Sequence, residues 1–383
     1  MKNTYRKIYL VGVIALATLL TAEAGNKDRS GQAAASELLI NPWGASAGWG
    51  YAGVASTKGI EATFSNVAGI AFVRKTQIGY SNTIFNVGSD VMINSLGIVQ
   101  SLSKDGSKGN LGLTATIVSG GKVDITTVDY PEGGIGTYSP TFMNIGVSYG
   151  YSFSDFIHAG VTGKIIYESI HDVSATGFVL DIGVQWVAGR NEQFQLGVAL
   201  KNLGLSMRYK GDGMVVRSPL TGNSYPTALQ VPSESSEMPA LLAIGLAYDF
   251  LFGKIDKEGS TTRDNTEHRL TLAGSFIANA YSSDQFIVGL EYSLLDYFQL
   301  RAGYTFEKGV FDLKRVTAND GTKHWLTAPS STSNWLGPSV GTSLLVPLNK
   351  KDKHNPSRLA IDYSYRFTNN WRGCHSIGLR VIL

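Results

Sequence analysis

The stretch Gln285–Phe306 constrains this chain most, because its alternation suits little except paired strands. Phe286, Val288, Leu290, Tyr292 and Leu294 alternate with Ile287, Gly289, Glu291 and Ser293. Beyond Leu295–Tyr297 the rule resumes, with Phe298, Leu300, Ala302, Tyr304 and Phe306 on one parity and Gln299, Arg301, Gly303 and Thr305 on the other. A side-chain period of two is that of a β-strand. If the hairpin closes through Leu295–Tyr297, parity is kept and Glu291 falls opposite Arg301 as a cross-strand ion pair. One face is then rich in Phe, Tyr and Leu, while the other mixes Gly with single charges. That division suits lipid outside and a crowded polar lumen inside, as in an outer-membrane barrel.

The 383 residues allow two ordinary domains or one large barrel. A hydrophobic content of 43% with 16% charged residues fits either, since a barrel's apolar residues are only every second one. The 44 Gly and 18 Tyr lean towards β structure. A net charge of +3, with no basic cluster interleaved with aromatics, excludes a nucleic-acid partner. Cys374, the single cysteine, has no partner for an internal disulfide. Met1–Ala24 reads as a secretory signal peptide: Lys2, Arg6 and Lys7 precede the apolar run Ile8–Leu20, and Ala22-Glu23-Ala24 supplies the cleavage site. Export to the cell outer membrane is therefore expected.

The expected organisation is a signal peptide over 1–24, a mobile leader over 25–37, an irregular segment over 38–73, and a transmembrane β-barrel over 74–383. Fourteen strands are expected at 74–85, 91–103, 109–119, 141–153, 156–168, 175–188, 193–203, 239–250, 267–279, 284–294, 297–307, 335–346, 357–367 and 374–383. The fold class is all-β, a 14-stranded antiparallel transmembrane barrel. Rows such as Met143, Ile145, Val147, Tyr149 and Tyr151, or Leu359, Ile361, Tyr363, Tyr365 and Phe367, face lipid. Lys164, Asp181, Lys201, Asp249, Glu291, Arg301, Asp362, Arg366 and Arg380 point into the lumen, where both signs predict ion pairs and not a one-sign filter. Gly120–Pro140, Gly204–Met238 and Lys308–Asn334 are the long outer loops, and Ser154–Asp155, Arg190–Glu192 and Leu295–Tyr297 the tight periplasmic turns. Leu251–Thr266, a long inner link, and Tyr281–Ser283, a short outer one, run against that rule.

Two motifs suggest chemistry that their setting does not support. Gly48-Trp49-Gly50-Tyr51-Ala52-Gly53 fits a dinucleotide-binding glycine pattern, but no parallel sheet surrounds it and Trp49 would crowd a pyrophosphate. Gly146-Val147-Ser148-Tyr149-Gly150 fits a nucleophile elbow, yet it lies within an alternating strand with Ser148 on the lumen parity. The six His residues have no ligand spacing. No catalytic residue, cofactor or metal site is expected, and the chain reads as a non-enzyme. Tyr149, Tyr151, Trp186, Tyr363, Tyr365 and Trp371 suit an interfacial aromatic belt. Trp43 and Trp49 precede the strands, so lumen packing or a partner must explain them.

The segment 38–73 is too irregular to face lipid and belongs inside the barrel or beneath it. Its runs Asn41-Pro42-Trp43-Gly44-Ala45-Ser46-Ala47-Gly48-Trp49-Gly50-Tyr51-Ala52-Gly53 and Gly59-Ile60-Glu61-Ala62-Thr63-Phe64-Ser65-Asn66-Val67-Ala68-Gly69-Ile70-Ala71 resemble the opening of the PorV/PorQ family. In that family a glycine-rich run, here Gly44, Gly48, Gly50 and Gly53, precedes an Asn-Pro-Ala-Gly-like signature, matched here by Asn66, Ala68 and Gly69. Val67 stands where Pro is usual and Trp49 near a usual Met, which marks a divergent paralogue. The resemblance implies a FadL-like barrel, related to the long-chain fatty-acid transporters, with fourteen strands and an N-terminal hatch in the lumen. It also implies a place in type IX secretion in Bacteroidetes, with the large translocon or a cargo's C-terminal signal domain as partner besides outer-membrane lipid. Others of the wider group move hydrophobic molecules, so a hydrophobic small-molecule ligand is the alternative. An apolar pocket beneath Trp43 and Trp49 favours that alternative; a lumen filled with salt bridges opposes it.

Overall fold

The computed structural model describes residues 25–103, 107–189, 191–219, 226–255, 266–295, 297–307, 313–317, 323–327, 336–348, 357–368 and 372–383. The expected signal peptide, Trp371 and most of the loop 308–334 lie outside them. Fourteen long strands form one closed antiparallel barrel. They are β1 Thr76–Phe85, β2 Val91–Ser101, β3 Asn110–Ser119, β4 Thr141–Ser152, β5 Ile157–Ile170, β6 Val173–Ala188 and β7 Phe194–Gly204, then β8 Leu241–Ile255, β9 Thr266–Asn279, β10 Gln285–Leu294, β11 Phe298–Glu307, β12 Gly337–Pro347, β13 Arg358–Arg366 and β14 Cys374–Ile382. Each pairs with its neighbour in sequence, and β1 closes on β14, Gln77 opposite Ile382 through Ile84 opposite His375. Closure removes the unpaired edge that lipid would not tolerate.

Side chains follow the expected parity. Phe178, Leu180, Ile182, Val184 and Trp186 of β6 are outward and exposed, whereas Val179, Asp181 and Gln185 between them are buried. In the hairpin of β10 and β11, Glu291 stands opposite Arg301 and Leu294 opposite Phe298, so the turn spans Leu295–Tyr297 as the alternation requires. The outward polar residues of β1 and β2 satisfy one another. Asn82 donates to the Asn94 carbonyl at 2.9 Å, and the Tyr80 hydroxyl donates to the same oxygen at 2.9 Å. Strand β8 runs to Ile255, five residues past its expected end at 250, because a bulge after Phe252 lets Ile255 pair with Thr266. That shortens the anomalous inner link.

Residues 27–72 form short helical pieces inside the ring. Gly44–Ala47 packs on β12, β13 and β14; Ala52–Val54 on β7 to β10; Gly59–Glu61 on β1 and β2; Val67–Phe72 on β3 to β6. The segment crosses the lumen from end to end. At one rim the Asn26 amide bonds the Asn279 carbonyl at 3.3 Å, where β9 ends. At the other, Asn110 at the start of β3 donates to the carbonyls of Ile70 and Val73 at 2.6 and 2.7 Å. The long links 120–140 and 205–240 stand at the first rim, which makes it the outer one. Residues 25–37, expected from composition as a mobile leader, are docked there: the Ala34 amide donates to the Glu237 carbonyl at 2.9 Å, and Ala34, Ala35 and Glu37 are buried.

Candidate functional site

The wall and the internal segment meet almost backbone to backbone, and this is what the glycine run provides. A Cβ on Gly48 would lie 2.7 Å from the Gly341 Cα, and one on Gly341 would lie 2.8 Å from the Gly48 Cα. Gly50 turns the chain at φ +65°, a backbone region where side chains are strained. Gly44 approaches Gly378 of β14, Gly53 lies against Trp49 and Thr57, and Gly69 against the Thr57 carbonyl. Trp43 and Trp49 are buried in the lumen, so packing explains both. Asn41 accepts from the Trp43 amide at 3.0 Å and donates to Ser46 at 3.0 Å, bracketing the buried Pro42 and fixing the start of Gly44–Ala47.

Asn66 ties this segment to the wall. Its carbonyl oxygen accepts from the Ala68 amide at 3.2 Å and so caps the helix Val67–Phe72, in which Ala68 and Gly69 are buried. Its amide group donates to Val54, Val184 and Val198 carbonyls at 3.0, 3.1 and 3.4 Å, joining two parts of the segment to β6 and β7. Gln185 supports the same corner, donating to the Val54 and Thr57 carbonyls at 3.3 and 3.2 Å.

All nine expected lumen charges line the interior, and Arg301, which donates to Ser343 at 2.6 Å, links the Glu291 set to the Asp362 set. Lys164 is ion-paired with Asp181. Glu291 bridges Arg269 at 2.8 Å and Arg301 at 2.7 Å. Asp362 takes two bonds from Arg380, at 2.6 and 2.8 Å, and a third from Ser343 at 2.5 Å. Arg380 also reaches Glu61 of the internal segment at 3.3 Å. Asp249 accepts from Gln195 at 2.8 Å and Thr271 at 2.5 Å. Lys201 has no hydrogen-bond partner for its ammonium among the described residues; it sits 3.8 Å from the Phe64 ring and 5.6 Å from that of Tyr51. Arg366 approaches Tyr51 at 5.8 Å. Opposite charges buried together are worth little as stabilisers, but removal of one partner is costly. Asp362→Ala is therefore expected to destabilise the barrel by about 3 kcal/mol, seen as a lower urea midpoint in detergent; an unchanged midpoint would show that Glu61 alone satisfies Arg380.

Arg269, Glu61 and Glu168 are further buried charges of this interior that the sequence reading does not single out. Arg269 shares the lumen parity of its strand, and Glu168 that of Lys164, so alternation carried the signal for both; Glu61 lies outside any strand and had none. Ser148 of the apparent nucleophile elbow is 1% exposed and hydrogen-bonds Thr162 at 2.8 Å across the ladder. A cavity of about 30 Å³ lies between Glu37, Trp43, Phe64 and Lys164, room for one or two waters.

The wall is irregular in one place near the outer rim. Between β6 and β7 the register shifts so that Asp181 faces both Lys201 and Asn202, with Asn202 at φ 57° and its amide held by Asp181 at 2.8 Å. Strand β7 then ends at Gly204, and among the described residues Ala175–Phe178 have no ladder partner on that side. The link 205–240 fills the gap, Met207 bridging Ser236. Met207, Met238, Val179, Ile166, Ala175 and Leu38 form an apolar cluster behind it.

No protein-family model matches this chain, and no curated protein matches it. Solved structures do. The deltaS2 mutant of the TodX monoaromatic hydrocarbon channel superposes with a TM-score of 0.51 at 12% identity, over 89% of this chain and 97% of that one. The P. putida toluene transporter TodX gives 0.49 at 12% identity over 88% and 96%, and a Pseudomonas aeruginosa FadL homologue gives 0.45 at 12% over 89% and 97%. At such identity the likeness concerns fold alone: the chain is a closed, antiparallel barrel of fourteen long strands, the fold of that hydrocarbon channel.

Proposed function

We propose that this protein sits in the outer membrane and passes small hydrophobic molecules from its outer mouth sideways into the bilayer, between β6 and β7. The observation that carries this reading is the apolar cluster of Leu38, Ile166, Val179, Met207 and Met238 behind a stretch of wall without a complete ladder. A hydrophobic solute leaves a barrel for lipid most easily where few strand hydrogen bonds must be broken. Methionine suits such a passage because its unbranched side chain rearranges readily. The ion-paired lumen lies below this level and anchors the internal segment, which acts as a hatch. The fold likeness to a hydrocarbon channel agrees with this reading. Uptake of labelled toluene by cells that carry the protein, against cells that lack it, tests the idea. Met238→Trp, which fills the gap, is expected to lower uptake about tenfold, and equal uptake with and without the protein would sink the proposal.

A second reading is favoured by the tight interior. With ion pairs around the ring and a cavity of about 30 Å³ beneath Trp43, the barrel would serve as a rigid support for outer loops. In that reading it binds the type IX translocon or a cargo's signal domain, in line with the resemblance of residues 41–71 to the PorV/PorQ opening. Co-purification of either partner from detergent extracts, together with protein-independent toluene uptake, would favour it over transport.

A further inference from the structure

Glu37 brings a carboxyl group into an already acidic corner of the outer mouth. It is 9% exposed, it lies on the turn Ser36–Leu39, and its Oε1 has no hydrogen-bond partner among the described residues. Glu168 of β5, 3% exposed, faces it. The Tyr209 hydroxyl of the link 205–240 donates to Glu168 Oε2, so the corner's phenol proton is already committed. Lys164, also of β5, lines the same small cavity, but its ammonium is paired with Asp181. Two carboxylates so placed cannot both be charged without strong repulsion, whereas one shared proton turns the contact into a hydrogen bond. Burial, and then the Glu168 carboxylate, push Glu37 up from an ordinary 4.5 to about 8.

We propose that the Glu37–Glu168 pair is a proton-operated latch, in which one shared proton keeps residues 34–38 docked beneath the link 205–240 and its loss releases them from the outer mouth. The stretch is also held by Leu38, Ala34 and Ala35 in the apolar cluster and by the Tyr51 hydroxyl, which donates to the Leu39 carbonyl at 2.5 Å, so the latch adds to apolar packing. Ala34 makes one backbone bond to Glu237, and the Arg29–Glu237 pair, at 3.1 Å, is solvent-exposed. Arg29 also lies over the Tyr281 ring at 4.3 Å. Because Glu37 holds its proton more tightly when docked than when released, docking is fully favoured below an ordinary carboxyl's titration. It weakens as pH rises through about 8. Nothing in this depends on what the barrel carries.

A spin label at Ser36→Cys, in a Cys374→Ser chain reconstituted in lipid vesicles, reads the latch directly. Between about pH 6 and about pH 9 the ratio of mobile to immobile label is expected to rise by ten- to a hundredfold. In Glu37→Gln it stays at its low-pH value, since a neutral amide can still bond the Glu168 carboxylate; in Glu168→Gln, where burial alone still raises Glu37, the rise is smaller. Exchange of the Leu38 and Ile40 amides in the unlabelled chain, corrected for base catalysis, gives the same readout without the label. A label that stays immobile across the whole range, or a pH response that survives in Glu37→Gln, overturns the proposal.

Discussion

Asn66→Ala is expected to destabilise the barrel by about 3–5 kcal/mol, because one small side chain does two kinds of work at the centre of the molecule. As a helix cap, its oxygen satisfies the Ala68 amide, a role whose loss typically costs about 1 kcal/mol. As a donor it serves the carbonyls of Val54, Val184 and Val198, and the side chain is 1% exposed, so water does not reach the site to replace it. Each of these three bonds is worth about 0.5–1.5 kcal/mol, which with the cap brings the total to about 3–5 kcal/mol; no carbonyl is orphaned, since Val54 still receives Gln185 and Val184 and Val198 stay within their strand ladders. Asn66→Asp separates the two roles. It retains the cap but sets an anion against three carbonyl oxygens, and it should destabilise at least as much as alanine. Urea midpoints in detergent give both values. If Asn66→Ala unfolds where the unchanged protein does, Asn66 is not the joint between the internal segment and β6–β7.

Much of the barrel was legible because alternate residues meet two different surroundings, and that difference is written at every second position. The pairing of Glu291 with Arg301 followed from parity and a three-residue turn, and all fourteen expected strands overlap the observed ones. What parity cannot give is the partner of a lumen charge, since that depends on what fills the lumen. Arg380 meets Glu61, and Lys201 meets the rings of Phe64 and Tyr51, only because a non-repeating segment is folded against the wall. The break at Asn66, whose extended φ of −154° and ψ of 108° let its side chain reach the wall, leaves no mark in the residue pattern around it. Parity alone likewise does not show how Asn82 and Asn94 are satisfied on the outward face, where each is paired with the other. The docking of 25–37 was invisible to composition, because small polar residues such as Ser36 and Gln32 are equally at home in a leader and in a shallow contact.

Gly341→Val should destabilise the barrel by about 3 kcal/mol or more, even though it adds an apolar, strand-favouring side chain. Gly341 lies on the lumen parity of β12, and an added Cβ would stand 2.8 Å from the Cα of Gly48, inside contact distance before the two methyl groups are counted. Relief by a side-chain rotation is unavailable, because the obstacle is backbone. Gly48 cannot retreat either: the Trp43 carbonyl holds the Ala47 amide at 3.0 Å on one side, and the Ala47 carbonyl holds the Gly50 amide at 3.2 Å on the other. The strand ladder fixes Gly341 between Arg301 and Ser364. The strain must therefore be relieved by moving the whole 44–50 stretch away from β12 and β13. The same substitution at Gly274 is the matched control, since an added Cβ there meets nothing closer than the Ile287 carbonyl at 3.8 Å. Gly274→Val is expected to change stability by less than about 0.5 kcal/mol. Hydrogen exchange at the amides of Ala47, Gly48 and Gly50 should rise in Gly341→Val and stay unchanged in Gly274→Val, with the urea midpoints following the same order. Equal midpoints for the two valine variants would mean that the internal segment is not pressed against the wall at Gly48, and that the glycine run has some purpose other than close approach.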